Sequence, residues 1–253
     1  MESVFTHVTR VRIPLPLLMK LDSNFFIEKL QSGETILDPD ESSHVVKSFR
    51  AHAGDSIILC DGKGRLANAE ILDPNPKACK ILVKDISEQE QRPKIHLAIS
   101  CLSDGSEEEI TFHAAQFPLA AIHLLRTERS QEPRDSDLGK LRRRMEAKSM
   151  AALKQSRKSW LTEIKAPIYL SEFLENFNGN LIVCEKNGEK CKPPVGELAV
   201  LTGPEGGFSP TELEAIKNKG AAFLSLCDTR LRAATAPIIA LGIITFSGSA
   251  KPA

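Results

Sequence analysis

The sequence predicts an α/β protein in two parts, a small β-barrel followed by a larger domain with a mostly parallel sheet. Two observations carry this. From Phe25 to near Ile86, short apolar runs alternate with turn signals, the pattern of a small barrel. After a polar stretch at 87–93 ("SEQEQRP"), strand-like apolar runs alternate with helix-like ones, the pattern of β-α units. The expected division is a barrel over 23–92 and an α/β domain over 93–253, preceded by an extension at 1–22.

Each element has its own warrant. Residues 56–60 ("SIILC") read as a strand, 61–64 ("DGKG") as a hairpin turn and 65–72 as the returning strand. Residues 79–86 form another strand. In the second part, "KIHLAISCL" reads as a buried strand, "SEEEITFHAAQF" as a helix and "AAIHLLRTE" as a strand. A long helix is predicted from Asp137 through Leu161, with Leu141, Met145 and Ala152 on its buried side. "NLIVCE" and "ELAVLTG" are strands, and "SPTELEAIKNKG" a helix with Ser209 as N-cap, Glu212 closing a capping box and Gly220 as the stop. "AAFLSL" and "ATAPIIALGIITFSGS" complete the series as strand and apolar helix.

Composition narrows the function. Lysine plus arginine and aspartate plus glutamate each number 33, so net charge gives no sign of nucleic acid, although a local basic face is still allowed. The six cysteines include no C-x-x-C pair, which argues for reduced thiols in a cytosol-like compartment rather than zinc or disulfides. No metal site is expected, because His44, His113 and His123 lack ligand spacing and read as isolated packing or surface residues. One tyrosine and one tryptophan argue against an aromatic platform for bases. No run reaches the roughly eighteen apolar residues of a membrane span. A cytoplasmic location is expected. Residues 1–22 read as an ordinary extension, a stretch upstream of a start at Met19, or an organelle transit segment, the last weakened by the prolines of "RIPLPLL".

One loop carries chemistry. "LTGPEGGFSPTELE" runs from a strand into a helix, and ligands of such sheets bind beyond the carboxyl ends of the strands. Glycines there let backbone amides approach a ligand, and the helix start adds unpaired amides. The alternative is a tight turn with Pro204 fixing φ. It is not a P-loop, since no G-K-[ST] follows and Glu205 would repel phosphate. A second such loop, "LCDTRLRAATA", also joins a strand to a helix, so the two should form a cleft.

Together these loops resemble the ribosomal RNA small-subunit methyltransferase E family, SPOUT-class enzymes that use S-adenosylmethionine to methylate N3 of a uridine in 16S ribosomal RNA. The similarity extends over nearly all of the chain from Phe25. It includes barrel positions His44, Arg50, Gly54, Asp55 and Gly62, the "RTERS" run at 126–130, and Gln155, Ser156 and Arg157. It implies a PUA-like barrel, a SPOUT domain with a C-terminal trefoil knot, a homodimer and ribosomal RNA as partner. S-adenosylmethionine would be held by Cys184 and Glu185, by Thr202, Gly203, Pro204, Glu205, Gly206 and Gly207, and by Leu226, Cys227, Leu231, Arg232, Thr235 and Ala236. RNA contacts would fall to His44, Arg50, Arg129 and Arg157.

The chain also departs from the family pattern. In the last loop Cys227 replaces a glycine, Thr229 an arginine and Ala234 a glutamate. Asn24 replaces an arginine before "FF". The first helix reads "HAAQFP" from His113 where K-A-T-E-L-G is usual, and "CLSDGSEEE" is acidic where a lysine is expected. Loss of cations should weaken binding to an RNA backbone.

Arg232 is the candidate to stabilise charge on the reacting uridine, with a phosphate clamp or dimer contact as the alternative. Glu205 is expected to orient its own loop. The basic residues Lys140, Arg144, Lys148, Lys154 and Lys158 fall four apart in places on the long helix, as a solvated face or as an RNA or dimer contact. The rival reading of the whole chain is a catalytically impaired RNA-binding or ribosome-assembly protein, or a methyltransferase for another RNA.

Overall fold

The computed structural model describes residues 23–89, 92–130, 135–189 and 194–249; the expected extension at 1–22 and part of the polar stretch at 87–93 lie outside these. The first unit is built on β1 (Asn24–Phe26), β2 (Gly33–Ile36), the short helix α1 (Pro39–Ser43), β3 (Ser56–Cys60), β4 (Arg65–Asp73) and β5 (Lys80–Glu88). Its five-stranded sheet runs β1-β3-β4-β5-β2, antiparallel except for the β1–β3 pair. Alternation decides which face is buried: Ile57 and Leu59, Ala67, Ala69 and Ile71, and Ile81 and Val83 all point into one core with Phe25 and Val45.

The second unit contains β6 (Ile95–Ser100), α2 (Glu107–Ala114), β7 (Leu119–Arg126), α3 (Asp135–Gln155), β8 (Glu163–Ile164), β9 (Ile168–Tyr169) and α4 (Leu170–Asn176). It continues with β10 (Asn180–Glu189), β11 (Leu198–Thr202), α5 (Pro210–Asn218), β12 (Ala222–Leu224) and α6 (Ala236–Ser249). The sheet order is β12-β10-β11-β6-β7-β8, with β9 also on β7, and every pairing is parallel. β11 is buried at all five positions, as expected of a central parallel strand covered on both faces. One core, with Leu97, Ile122 and Val200, packs under α2, α3 and α6; the other, with Ala98, Val183 and Leu201, packs under α4 and α5.

The capping box on α5 is present, with Ser209 accepting from the Glu212 amide and Glu212 accepting from the Ser209 amide, and Gly220 ends the helix at φ +81°. The long helix is shorter than predicted. It stops at Gln155 because the Ser156 hydroxyl turns back to Ala152 O and Arg157 takes a left-handed φ of 55°. Lys158 therefore lies beyond the helix, donating to Phe117 O at 2.8 Å, and burial pushes its pKa down to about 8.

Lys154 pairs with Glu41 of α1 at 2.6 Å and Arg144 with Glu108 of α2, so part of the predicted basic face joins elements of the protein. The two units are sewn together near this point. The amide of Gly64 donates to Ser159 O, that of Leu161 to Gly62 O, and Asn24 Nδ2 to Lys158 O. Asn24 is 1% exposed, so its replacement of an arginine concerns this junction rather than an RNA surface.

Candidate functional site

Beyond the carboxyl ends of β6, β11 and β12, and against the middle of β10, lies a cavity of about 850 Å³. Its walls come from Cys184, Glu185 and Lys186 within β10, residues 202–208 at and after the end of β11, and Leu226 with 229–234 after β12. The two loops singled out in the sequence do meet, although their strands are not neighbours: β10 runs between them and contributes the third wall. Cys184, Glu185, all of 202–207, Leu226, Cys227, Leu231, Arg232 and Ala236 line the cavity. Thr235 does not. It is exposed, its amide closing a turn to Arg232 O and its carbonyl receiving the Ile239 amide at the start of α6.

The 202–207 turn is compact because backbone approaches backbone. A Cβ on Gly203 would come within 3.2 Å of the Phe208 nitrogen, and Gly207 sits at φ +68°. The left-handed φ favours glycine at 207, while a side chain at 203 would require Phe208 to give by a few tenths of an ångström. Glu205 is anchored differently from expectation. Its Oε1 accepts from the amide of Ser103 at 2.8 Å and the hydroxyl of Ser103 at 2.7 Å, tying the turn to the loop after β6. Desolvation raises its pKa, but the hydrogen bonds from Ser103 and from its own backbone together outweigh it and hold the carboxyl below the usual range. From the other side, Arg230 donates to Glu205 O and Arg129 donates to Gly206 O, both at 3.0 Å.

Arg232 projects from the β12 loop with its side chain 80% exposed and Nη2 3.1 Å from Asp104 Oδ2. Asp104 stands in the acidic segment where a lysine was expected, so this anion now faces the cation across the cavity mouth. Hydrogen bonds from Ser106, followed by Arg232, keep Asp104 below the normal carboxylate range despite slight desolvation. Sequence reasoning missed Ser103, Asp104, Lys186 and Arg230. The rule that ligands sit beyond strand ends would have found Ser103 and Asp104, which closely follow β6.

The four residues expected to touch RNA do not share one element. His44 packs edge-on against Phe25 and Phe49 in the first unit; Arg50 is exposed there at φ 54°. Arg157 ends α3, while Arg129 braces the glycine turn. His123, read as isolated, is paired: its Nε2 is 3.0 Å from His96 Nδ1, and His96 Nε2 is 3.0 Å from Glu197. Burial, then the His96 charge, push His123 down to about 4. Among the described residues no cluster of three or more His, Cys, Asp or Glu is arranged to hold a metal, and no helix is long and apolar enough to cross a membrane.

Comparison with known proteins agrees with this architecture. Residues 89–245 match the RNA methyltransferase domain, and residues 37–84 match the RNA methyltransferase PUA domain. The Synechocystis ribosomal RNA small subunit methyltransferase E is 26% identical over 95% of this chain and 85% of its own. The counterpart from Mycobacterium bovis is 25% identical over 87% of this chain and 90% of its own. Among solved structures, a Legionella pneumophila methyltransferase in complex with the bound cofactor SAM superposes with a TM-score of 0.78 at 26% identity, covering 88% of this chain and 97% of that one. The Neisseria gonorrhoeae ribosomal RNA small subunit methyltransferase E, at 21% identity and TM-score 0.76, shares the fold over 87% of this chain and 95% of its own. The fold is therefore a SPOUT-type α/β domain preceded by a PUA-like unit.

Proposed function

The chain belongs to the RNA methyltransferase domain family, and from that membership we propose that it transfers the methyl group of S-adenosylmethionine to N3 of a uridine in small-subunit ribosomal RNA. The observation that carries this is the cavity where the middle of β10 and the loops after β11 and β12 converge on a backbone-lined turn. Its volume suits a nucleoside cofactor. The glycines at 203, 206 and 207 keep side chains off this wall of the cavity, and the residues present fit S-adenosylmethionine.

When bound, that cofactor supplies an electrophilic methyl carbon on a sulfonium. Residues 202–207 and Leu226, Leu231 and Ala236 would hold it, with the Glu185 carboxylate available to ribose hydroxyls. Arg232 would stabilise the negative charge that develops on uridine as the N3 proton leaves. Positioning by the three loops would supply much of the remaining acceleration. RNA would lie across the PUA-like unit, with Arg50 and Arg157 as its contacts, and the protein would work where small ribosomal subunits are found, the cytoplasm first.

The same reading includes a C-terminal trefoil knot and a homodimer. α6 is apolar around its circumference, Ile239 and Ile243 are only partly buried, and Phe246 is 81% exposed, as a helix awaiting a partner would be. An experimental structure with light scattering tests both: a monomer, or an unthreaded C-terminal segment, would refute them.

Titration calorimetry should show saturable S-adenosylmethionine binding below about 1 mM. Small-subunit RNA from a strain lacking the gene should lose one N3-methyluridine. A second reading, an RNA-binding protein without chemistry, is favoured by Ala234 in the cavity wall where the family carries glutamate. No cofactor binding would establish that reading; binding with unchanged N3 methylation would point to another RNA.

A further inference from the structure

A second cavity, of about 310 Å³, lies at the same sheet edge. The loop at 127–130 stands between the two: Arg129 lines the first, Thr127 and Glu128 the second. Nothing in the methyl-transfer reading uses it. Its aromatic wall is Tyr169, the chain's single tyrosine, 53% exposed. Arg126 lies 5.2 Å from the ring centroid and donates to the phenol oxygen at 3.2 Å, so the ring is held in place by a cation.

Below it, Thr127 is 6% exposed, and its Oγ1 has no hydrogen-bond partner among the described residues. That oxygen has almost no accessible surface, so a rotation of the Thr127 side chain is what would turn the unpaired hydroxyl toward a ligand's polar edge. The charge at the rim selects the ligand. Glu212 is fully engaged by the amides of Glu128 and Ser209, both at 2.8 Å, but the exposed Glu128 carboxylate remains on the wall. An anion there disfavours phosphate and favours a neutral ring carrying N–H donors. An aromatic face, a hydroxyl and a carboxylate in a space of nucleoside size match an unpaired base.

We propose that this cavity takes one unpaired base of the RNA adjoining the methylated nucleotide, stacked on Tyr169 with its polar edge toward Thr127 and Glu128. The inference rests on the reading of the chain as an RNA methyltransferase. It is tested by measuring affinity for small ribosomal subunits from a strain lacking the gene, alongside methyl transfer and S-adenosylmethionine affinity. Tyr169→Ala should weaken subunit binding about tenfold. Thr127→Val should weaken it about fivefold, and Tyr169→Phe should stay near wild type. Cofactor affinity should be unchanged in all three. Wild-type subunit affinity in Tyr169→Ala and Thr127→Val would overturn the inference, as would a parallel loss of cofactor binding. If the wild type binds subunits but transfers no methyl, the chemical reading fails while the affinity ratios still decide this one. A wild type that binds no subunits defeats both.

Discussion

Arg232→Ala is expected to lower kcat for methyl transfer by about 100-fold, a larger effect than on S-adenosylmethionine affinity, although Arg232 also lines the cavity. The guanidinium is mostly exposed and, among the described residues, pairs with Asp104 at 3.1 Å. Exposed ion pairs contribute little to stability, so the variant should unfold within about 0.5 kcal/mol of wild type. A cation aimed at developing charge becomes effective when docked RNA excludes water from it. Because Asp104 fixes where the guanidinium points, Asp104→Asn should slow turnover less than Arg232→Ala does. Single-turnover kinetics beside a denaturation curve separate the two effects. Turnover of Arg232→Ala at the wild-type rate would remove Arg232 from the chemistry and leave it as a phosphate or dimer contact.

Gly64→Ala should cause a large loss of stability, about 2–5 kcal/mol, from two additive causes. Gly64 lies at φ +100°, which an alanine tolerates poorly. Its new Cβ would fall 2.5 and 2.7 Å from two ring atoms of Trp160. The ring cannot simply retreat, because Lys63 and Trp160 form a β-bridge and the Gly64 amide donates to Ser159 O at 2.9 Å. The turn between β3 and β4 is thereby a joint between the two units. Urea unfolding checks this, and a midpoint equal to wild type would show that the joint can yield.

The hairpin at 61–64 was legible as a turn, yet nothing local marked it as a joint, since Trp160 lies far along the chain. Likewise the stop of α3 at Gln155 was missed. The apolar and helix-favouring residues continue past it, and a left-handed Arg157 overrides their propensity. The short strands β1, β2, β8 and β9 and the helix α4 escaped prediction because two to seven residues carry too little periodicity to read. The strand-to-helix loops were more legible. Their glycines and apolar flanks are conditions on the backbone itself, and all the expected positions but Thr235 face one cavity.

By itself the sequence determined the alternation of strands and helices, the parallel character of the second sheet, the capped start of α5 and the glycine turn beyond β11. Each depends on neighbours within a few residues, where periodicity and φ preference act. The tertiary structure alone decided which charges meet. Glu205 bonds Ser103 and Arg232 pairs with Asp104 across 102 and 128 positions of chain. Thr127 is likewise left with a buried hydroxyl beside Tyr169. Such contacts follow from strand order, which brings β6, β10, β11 and β12 to one edge, and strand order is set by packing between distant segments.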